Sequence, residues 1–239
     1  EDFSNILWPK QKISAKRSVG FDEARLRQKL EKHSTIEFNR CFRCIAVSDQ
    51  TQWFNIKTMR ANYINGLMVN DQVPDRFLTL CGVDPAVKKS RGANFASFFN
   101  AAYNPLTGQK RIRRIIQEKM GGVDILKQMI MFIDEDPSIE FIVEDNGQQS
   151  YLLELAQNIE IIKLLATQGG FTDIEAKAHR LRACIRPFNT TEDKSDPEVG
   201  IAKMAADFES RMWQIPRCAE AERWFSQFLG WRPGNRRHT

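Results

Sequence analysis

The spacing of apolar residues changes once along the chain, near residue 70. Before that point the spacing is helical: Asp22 precedes an amphipathic stretch, residues 34–37 have the order of a capping box, and residues 52–64 form a further helical stretch. Beyond it, short apolar runs alternate with turn residues, which is typical of strands. The pattern therefore predicts a helical N-terminal segment over residues 1–70 and a sheet-containing domain over residues 71–239.

Strands and helices alternate within the second segment. Three strands come first, and the turn residues Asn104, Pro105 and Gly108 predict that the second and third form an antiparallel hairpin. The predicted strands cover residues 77–83, 94–103, 110–117, 161–166 and 212–215, with one more that ends at Glu144. The predicted helices cover residues 123–133, 148–158, 174–186 and 220–229. This order predicts an α/β fold, a ribonuclease-H-like mixed sheet flanked by helices.

Two acidic residues stand at the ends of predicted strands. Asp84 and Glu144 each follow a short apolar run, which indicates a buried strand that is covered on both faces. Each acid alone has an ordinary explanation, because Asp before Pro85 and the sequence 144–147 both suit turns. Together they indicate a site, since the ends of adjacent strands in an α/β sheet converge on one crevice.

Paired carboxylates of this kind suit the hydrolysis of phosphodiesters. That reaction uses two divalent ions about 4 Å apart, one to activate water and one to stabilise the leaving oxygen. Carboxylate oxygens are the ligands that Mg²⁺ and Mn²⁺ prefer in proteins. The sequence thus predicts metal-dependent phosphodiester cleavage, in which one acid bridges the two ions and the other flanks them.

The positive charge of the chain indicates a polyanionic partner. The formal net charge is +5 and the isoelectric point is near 9.0. Two clusters of basic residues indicate where such a partner would bind: one follows Asp84 by a few residues, and one lies at the end of the sequence. Any single cluster could instead be a solvent-exposed face that aids solubility. We expect these clusters to form a rim that binds the DNA backbone. Their members are Lys88, Lys89, Arg91, Arg236 and Arg237.

Other classes of protein are excluded by what the sequence lacks. No apolar run approaches the roughly 18 residues of a membrane span, and the first residues do not resemble a signal segment, so we expect no membrane association. The five cysteines, an odd number, indicate a reducing compartment. No Walker-type phosphate loop occurs. Cys41 and Cys44 lack the second pair of a zinc site and are expected to be buried thiols, and His33 and His179 are expected to be surface residues.

The acidic motifs resemble those of the nuclease domain of tailed-bacteriophage terminase large subunits. The resemblance rests on Gly82-Val83-Asp84-Pro85-Ala86, on residues 121–124 and on residues 141–149, and residues 34–40 resemble the stretch that joins the ATPase and nuclease domains of that family. It implies an endonuclease that cuts concatemeric double-stranded DNA when genome packaging begins and ends, with two Mg²⁺ or Mn²⁺ ions. It also implies the host cytoplasm, transiently the procapsid portal, with portal protein and terminase small subunit as partners.

The resemblance assigns roles residue by residue. Asp84 takes the part of the ligand that bridges the ions, and Glu144 that of a ligand which orients water. The third ligand of the family is an Asp beyond a turn like Arg236-Arg237-His238, and the sequence given stops before such an acid. We therefore expect that ligand beyond Thr239 and an ATPase domain ahead of residue 1, with His238 assisting a ligand or the phosphate. The alternative third ligands are Asp145 and Asp196.

Two other functions stay open from the sequence. Another nuclease with the same sheet, such as a Holliday-junction resolvase or a transposase core, would need the same acids. A non-catalytic DNA-binding or portal-docking module would carry them as relics. Metal-dependent nicking of a plasmid separates this last class from either kind of enzyme.

Overall fold

The computed structural model describes residue 28 and residues 53–85, 95–145, 150–188, 200–229 and 231. The strands are β1 (Leu78–Asp84), β2 (Ala96–Tyr103), β3 (Lys110–Glu118), β4 (Glu140–Glu144), β5 (Ile185–Phe188) and β6 (Trp213–Gln214). The helices are α1 (Ile56–Arg60), α2 (Gly122–Glu135), α3 (Ser150–Gln157), α4 (Ile159–Gln168), α5 (Ile174–Cys184), α6 (Ile201–Glu209) and α7 (Ala219–Leu229). The helix predicted after Asp22 and the capping box at 34–37 lie outside the described residues, apart from Gln28, which is helical.

The chain divides into two compact units. The larger comprises residues 65–191 and 215–220, and the smaller comprises residues 1–64, 192–214 and 221–239. In the larger unit, five strands form one mixed sheet in the order β5-β4-β1-β2-β3. β2 is antiparallel to both β1 and β3, whereas β4 is parallel to β1 and β5 is parallel to β4. A three-stranded meander followed by parallel strands that helices connect is the ribonuclease-H-like order, so the predicted fold class is confirmed.

The hairpin between β2 and β3 forms where the turn residues predict it. The Asn104 side-chain oxygen accepts hydrogen bonds from the backbone N–H groups of Leu106, at 2.9 Å, and Thr107, at 3.3 Å. Gly108 has φ of 75°, a left-handed conformation that costs glycine little. From this turn the two strands pair from Tyr103 and Lys110 onward.

Helices cover one face of the sheet in the larger unit. Cys81 and Val83 of β1 are buried in a core cluster with residues of α2, α3, α4 and α5, whereas Gly82 and Asp84 are exposed. β4 shows the same alternation. The prediction that the strands of Asp84 and Glu144 are covered on both faces is therefore wrong, because successive side chains point to opposite faces and only one face meets these helices.

Residues 161–166 are helical, contrary to the predicted strand. They belong to α4, whose N-cap Asn158 accepts a hydrogen bond from the backbone N–H of Ile161 at 3.2 Å. Ile162, Leu165 and Ala166 are buried, which is the i, i+3, i+4 spacing of a helix face. A short apolar run suits either element, and here the cap and the neighbouring helices determine the outcome.

Two further elements were not predicted. The helix predicted over residues 174–186 ends at Cys184, and the chain continues as β5, in which Ile185 pairs with Phe141 of β4. Pro187 does not disrupt this strand because β5 lies at the edge of the sheet. Helix α6 buries Ala202 and Phe208 in the smaller unit.

A bulge in β3 directs two arginines toward the end of α2. Pairing with β2 shifts at Asn100, and Arg113 is the extra residue. The buried Arg113 side chain donates a hydrogen bond to the Asp136 carboxylate at 2.6 Å, and Arg114 contacts Glu135 at 3.1 Å. Both arginines belong to the basic run 110–114, and their contacts join β3 to α2.

The smaller unit has an aromatic core. Its rings contact one another at centroid distances between 4.6 Å and 6.3 Å, and they come from the chain before α1, from α6, from β6 and from α7. A helix is predicted over residues 52–64, but α1 begins only at Ile56, because Asn55 caps it by accepting from the Lys57 N–H at 2.8 Å, and it ends at Arg60. The aromatic residues are Phe54, Phe208, Trp213, Trp224, Phe225 and Phe228.

A single buried amide joins three segments of this unit. The Asn62 side chain donates to the carbonyls of Thr58 and Phe208, both at 2.9 Å, and accepts from the Trp213 N–H at 3.3 Å. Replacing Asn62 with Ala should lower the free energy of unfolding by about 2–3 kcal/mol, since buried backbone groups would lose their partner. Urea unfolding measures this loss, and exposed Asn65→Ala is the control, expected within about 0.5 kcal/mol of wild type. Equal stability of the two variants would contradict the role given to Asn62.

Candidate active site

Asp84 and Glu144 lie at the same end of two adjacent parallel strands. Val83 pairs with Val143, and each acid is the next residue of its strand. Adjacent strands run about 4.8 Å apart, so the two acids are neighbours across the sheet. Both valines are buried on the helix-covered face, and the acids therefore lie on the opposite face. Asp84 is exposed and Glu144 is half-buried.

The two acids belong to a row of side chains that crosses five strands. Glu144 pairs with Phe188 of β5, Asp84 pairs with Ser97 of β2, and Ser97 pairs with Gln117 of β3. Paired residues share one face of a sheet. We call this set of five residues the acidic row. Acids occupy its centre, neutral polar side chains one end and an aromatic ring the other.

The face beside the acidic row is open. Gly82 lies on the same face two residues before Asp84, and a Cβ atom added there would meet no atom within 4 Å. Its neighbour Ile142 is 37% exposed, and Phe188 is 52% exposed. Within the described part of the chain, a substrate can therefore approach Asp84 and Glu144 across the surface of the sheet.

Backbone pairing holds β4 and β5 together beyond the acids. The N–H of Asp145 donates to the Phe188 carbonyl at 2.8 Å, so pairing extends past Glu144. This fixes the backbone that carries the Glu144 carboxylate. The role of Asp145 as an alternative third ligand remains a prediction.

Arg180 and Arg186, two basic residues of α5 and β5, make contacts within the protein. Glu140, four residues before Glu144, contacts Arg180 at 3.0 Å and Arg186 at 3.3 Å. Arg180 also donates to the backbone carbonyl of Pro137 at 2.7 Å. These arginines join β4, α5 and β5, so their first role is structural.

The acidic pair suits a hard divalent cation in the type of its donor atoms. Both side chains offer carboxylate oxygens, and they come from neighbouring strand ends. Among the residues that the structure describes, no group of three or more His, Cys, Asp or Glu side chains is arranged to hold a metal ion. The described part of the chain thus offers two candidate ligands, Asp84 and Glu144.

Several predicted site residues lie outside the described ranges. They are Lys88, Lys89, Arg91, Asp196, Arg236, Arg237 and His238, and the same holds for His33 and for Cys41 and Cys44. His179 is described: it is an exposed residue of α5, 3.3 Å from Glu175, as expected of a surface histidine. Burial raises the pKa of the Cys81 and Cys184 thiols, the latter to about 11, so neither is a reactive thiolate at neutral pH.

Sequence reasoning missed Ser97 and Gln117, the two neutral polar members of the acidic row, and Phe188, its aromatic member. None of the three belongs to a motif, and the hairpin prediction alone does not fix which residues face Asp84. The register of β1, β2 and β3 brings Ser97 and Gln117 into line with the acids. The hairpin turn alone would not have found Gln117, because the bulge at Arg113 shifts by one the register that the turn sets.

No helix among the described residues is both long enough and apolar enough to cross a membrane.

The sheet order and the acids at the ends of β1 and β4 place the larger unit among ribonuclease-H-like α/β domains. A scan against protein-family models and a search of curated proteins each find no match.

Solved structures similar to this chain include nuclease domains of viral terminases. The human cytomegalovirus terminase nuclease domain shares 14% sequence identity, with a TM-score of 0.49, and the match covers 77% of this chain and 88% of that chain. Its Mn-soaked, inhibitor-bound structure shares 13% identity at a TM-score of 0.45, covering 73% and 85% of the two chains. The P22 large terminase nuclease domain shares 13% identity at a TM-score of 0.41, covering 75% and 78%.

Proposed function

We propose that this chain is the nuclease domain of a bacteriophage DNA-packaging terminase. It would act as a metal-dependent endonuclease that cuts concatemeric double-stranded DNA at the initiation and termination of genome packaging. The observation that carries the proposal is the placement of Asp84 and Glu144 as neighbours on an open face of the sheet. The motifs around both acids support it.

The two acids have separate proposed roles. Asp84 is the more exposed and is central in the acidic row, which suits a ligand shared by two Mg²⁺ or Mn²⁺ ions. Glu144 would bind one ion and accept a hydrogen bond from the attacking water, which orients that water. Such ions, when bound, supply an activated water and stabilise the leaving oxygen. His238 would assist a ligand or the scissile phosphate.

The proposed substrate contacts include the predicted basic rim. Lys88, Lys89 and Arg91 follow Asp84 closely in the sequence, and Arg236 and Arg237 would bind backbone phosphates from the C-terminal side. Residues 1–70 would join this domain to an ATPase domain. Portal protein and terminase small subunit would be the partners of the full-length protein, in the host cytoplasm and at the procapsid portal.

Metal-dependent nicking of a supercoiled plasmid tests the proposed activity. We expect the chain to nick and then linearise plasmid in Mn²⁺ or Mg²⁺ and to be inactive in EDTA, because the ions would activate the attacking water. Recovery of activity when the metal is restored after EDTA is the control for irreversible loss. DNA binding without cleavage at any metal concentration would favour a non-catalytic module.

A second substrate separates the terminase from related nucleases. A terminase nuclease should cut linear duplex and a four-way junction at similar rates, because its proposed contacts are to the backbone and not to a branch point. The measurement compares initial rates on the two substrates at equal concentration in the same metal. A preference for the junction of tenfold or more would favour a resolvase.

A further inference from the structure

We infer that the ends of β2 and β3 bind the DNA backbone beside the acidic pair. The surface comprises Phe95, Ser97, Gln117 and Lys119, and we call it the β2–β3 surface. The inference rests on the proposed function, since it names the part of the protein that positions the substrate of the same site. It adds contacts that the basic clusters in the sequence do not include.

The register places Ser97 and Gln117 next to the acids. Ser97 pairs with Asp84, and Gln117 pairs with Ser97 on the far side. Two strand spacings, about 10 Å, therefore separate Asp84 from Gln117. Ser97 is half-buried and Gln117 is exposed. A strand of DNA with one phosphate at the acidic pair would pass over both side chains if it ran across the sheet toward β3.

Phe95 and Lys119 lie just beyond the paired ends of β2 and β3. Ala96 and Glu118 are the last pair of the two strands, and continued alternation would put Phe95 and Lys119 on the face of Ser97 and Gln117, about 7 Å beyond them. The Lys119 ammonium lies 5.7 Å from the centroid of the Phe95 ring. Phe95 is 51% exposed, so a large ring remains in solvent beside a positive charge.

The chemistry of these four side chains suits a phosphodiester backbone. The Ser97 hydroxyl and the Gln117 amide can donate hydrogen bonds to phosphate oxygens, and Lys119 supplies charge. The ring of Phe95 can pack against sugar or an exposed base edge. None of the four repels phosphate, whereas the two acids of the row do so when no metal neutralises them. Glu118, the carboxylate of this strand end, lies on the opposite face by the alternation of β3.

The same hairpin contains a matched pair far from the acids. Lys110 lies over the ring of Tyr103 at 6.0 Å, and these two residues pair next to the turn. Eight residues separate Phe95 from Tyr103, which is about 27 Å along a strand. A lysine and an aromatic ring thus occur at both ends of the hairpin, and only one pair adjoins the acidic row.

The test compares Lys119→Ala with Lys110→Ala. Fluorescence anisotropy of a labelled DNA duplex, measured in EDTA at several salt concentrations, gives affinity without cleavage. We expect Lys119→Ala to weaken binding about three- to tenfold at low salt and to reduce the slope of log K against log salt by about one. Lys110→Ala should stay within twofold of wild type with an unchanged slope.

A second set of variants tests the uncharged members. Phe95→Ala, and Ser97→Ala combined with Gln117→Ala, should weaken binding about threefold or more while leaving the salt slope unchanged, since neither change removes a charge. Thermal unfolding of each variant checks that the fold is retained. Affinity equal to wild type in both of these variants would exclude their side chains from the surface.

The outcomes separate this inference from the proposed function. Suppose that the wild-type chain binds and cuts DNA but that Lys119→Ala matches Lys110→Ala in affinity and in salt slope. The inference that the β2–β3 surface binds DNA is then wrong, and the proposed nuclease function stands. If the wild-type chain neither binds nor cuts DNA in any metal, both are wrong. Weaker binding and a smaller salt slope in Lys119→Ala, with both unchanged in Lys110→Ala, support the inference that the β2–β3 surface binds DNA.

Discussion

Replacing Asp84 with Asn, or Glu144 with Gln, should lower the rate of plasmid nicking by at least about a hundredfold. Each change removes one of the two neighbouring carboxylates that we propose as metal ligands. A bound ion contributes several kcal/mol to stabilising the transition state, and each 1.4 kcal/mol corresponds to a factor of ten in rate. The measurement is the initial rate of nicking in Mn²⁺ and in Mg²⁺ at equal protein concentration.

Stability measured without and with metal gives the same prediction an independent readout. In EDTA, both variants should melt at the wild-type temperature or above it, because neighbouring like charges no longer repel. Added Mn²⁺ should raise the melting temperature of the wild-type chain, since it binds only the folded site, and should raise that of the variants much less. This separates loss of a ligand from loss of the fold.

Glu118→Gln is the matched control for these carboxylates. Glu118 is exposed at the end of β3, and the register places it on the opposite face of the sheet from the acids. We expect near wild-type nicking and a wild-type response to Mn²⁺. Nicking at the wild-type rate in Asp84→Asn or Glu144→Gln would remove that residue from the site, and an equal loss in Glu118→Gln would mean that the assay responds to net charge alone.

Replacing Arg113 with Ala should lower the free energy of unfolding by about 3–5 kcal/mol. The Arg113 side chain is 8% exposed and contacts Asp136 at 2.6 Å. Removal of one partner of a buried ion pair leaves the other charge without compensation, and this costs more than the pair itself contributes. Urea unfolding of the variant and of the wild-type chain measures the difference.

Arg114→Ala is the control for this second prediction. Arg114 contacts Glu135 at 3.1 Å, and both side chains are about a quarter to a third exposed, so water can replace the contact. The expected loss is about 1 kcal/mol or less. Similar losses in the two variants would show that burial of the Arg113–Asp136 pair does not increase its contribution to the free energy of unfolding.

Asp136 also makes the stability depend on pH in a defined direction. Burial by itself raises the pKa of Asp136, but hydrogen bonds from Ser138 and Thr79 and the charge of Arg113 outweigh it, and the pKa lies below the usual range. A lowered pKa in the folded state stabilises the fold above the ordinary pKa of Asp, about 3.9, and this contribution is lost as the pH falls further. Asp136→Asn should therefore flatten the fall in stability below about pH 4.

The positions of Asp84 and Glu144 in the fold were predictable from the sequence because they depend on short-range patterns. An apolar run that ends in an acid indicates a strand end without any knowledge of distant contacts, and this placed Asp84 and Glu144 correctly. Their adjacency also followed, since an α/β sheet with this strand order puts β4 next to β1. The flanks were not predictable, because Ser97 and Gln117 meet the acids only through the register of three strands.

Two of the errors in the predicted fold, residues 161–166 and Ile185, share one physical origin. The apolar run 161–166 suits a strand or a buried helix equally, and the choice depends on the cap at Asn158 and on packing. Ile185 begins a strand only because the edge of β4 is available for pairing. In both places a tertiary contact overrides a local pattern. The prediction of the hairpin turn at Asn104 and Gly108 was correct, because hydrogen bonds within the turn determine its conformation.

The bulge at Arg113 also protects the strand against mispairing. If β3 paired regularly from the turn, with no extra residue, every position after Arg113 would move by one, and Ile116 instead of Gln117 would lie beside Ser97. That arrangement would expose an isoleucine which packs against the core, bury a glutamine, and move Arg114 to the opposite face of the sheet, away from Glu135. A slipped strand therefore loses packing and an ion pair together, so the hairpin has a strong thermodynamic reason to return to the register that orders the acidic row.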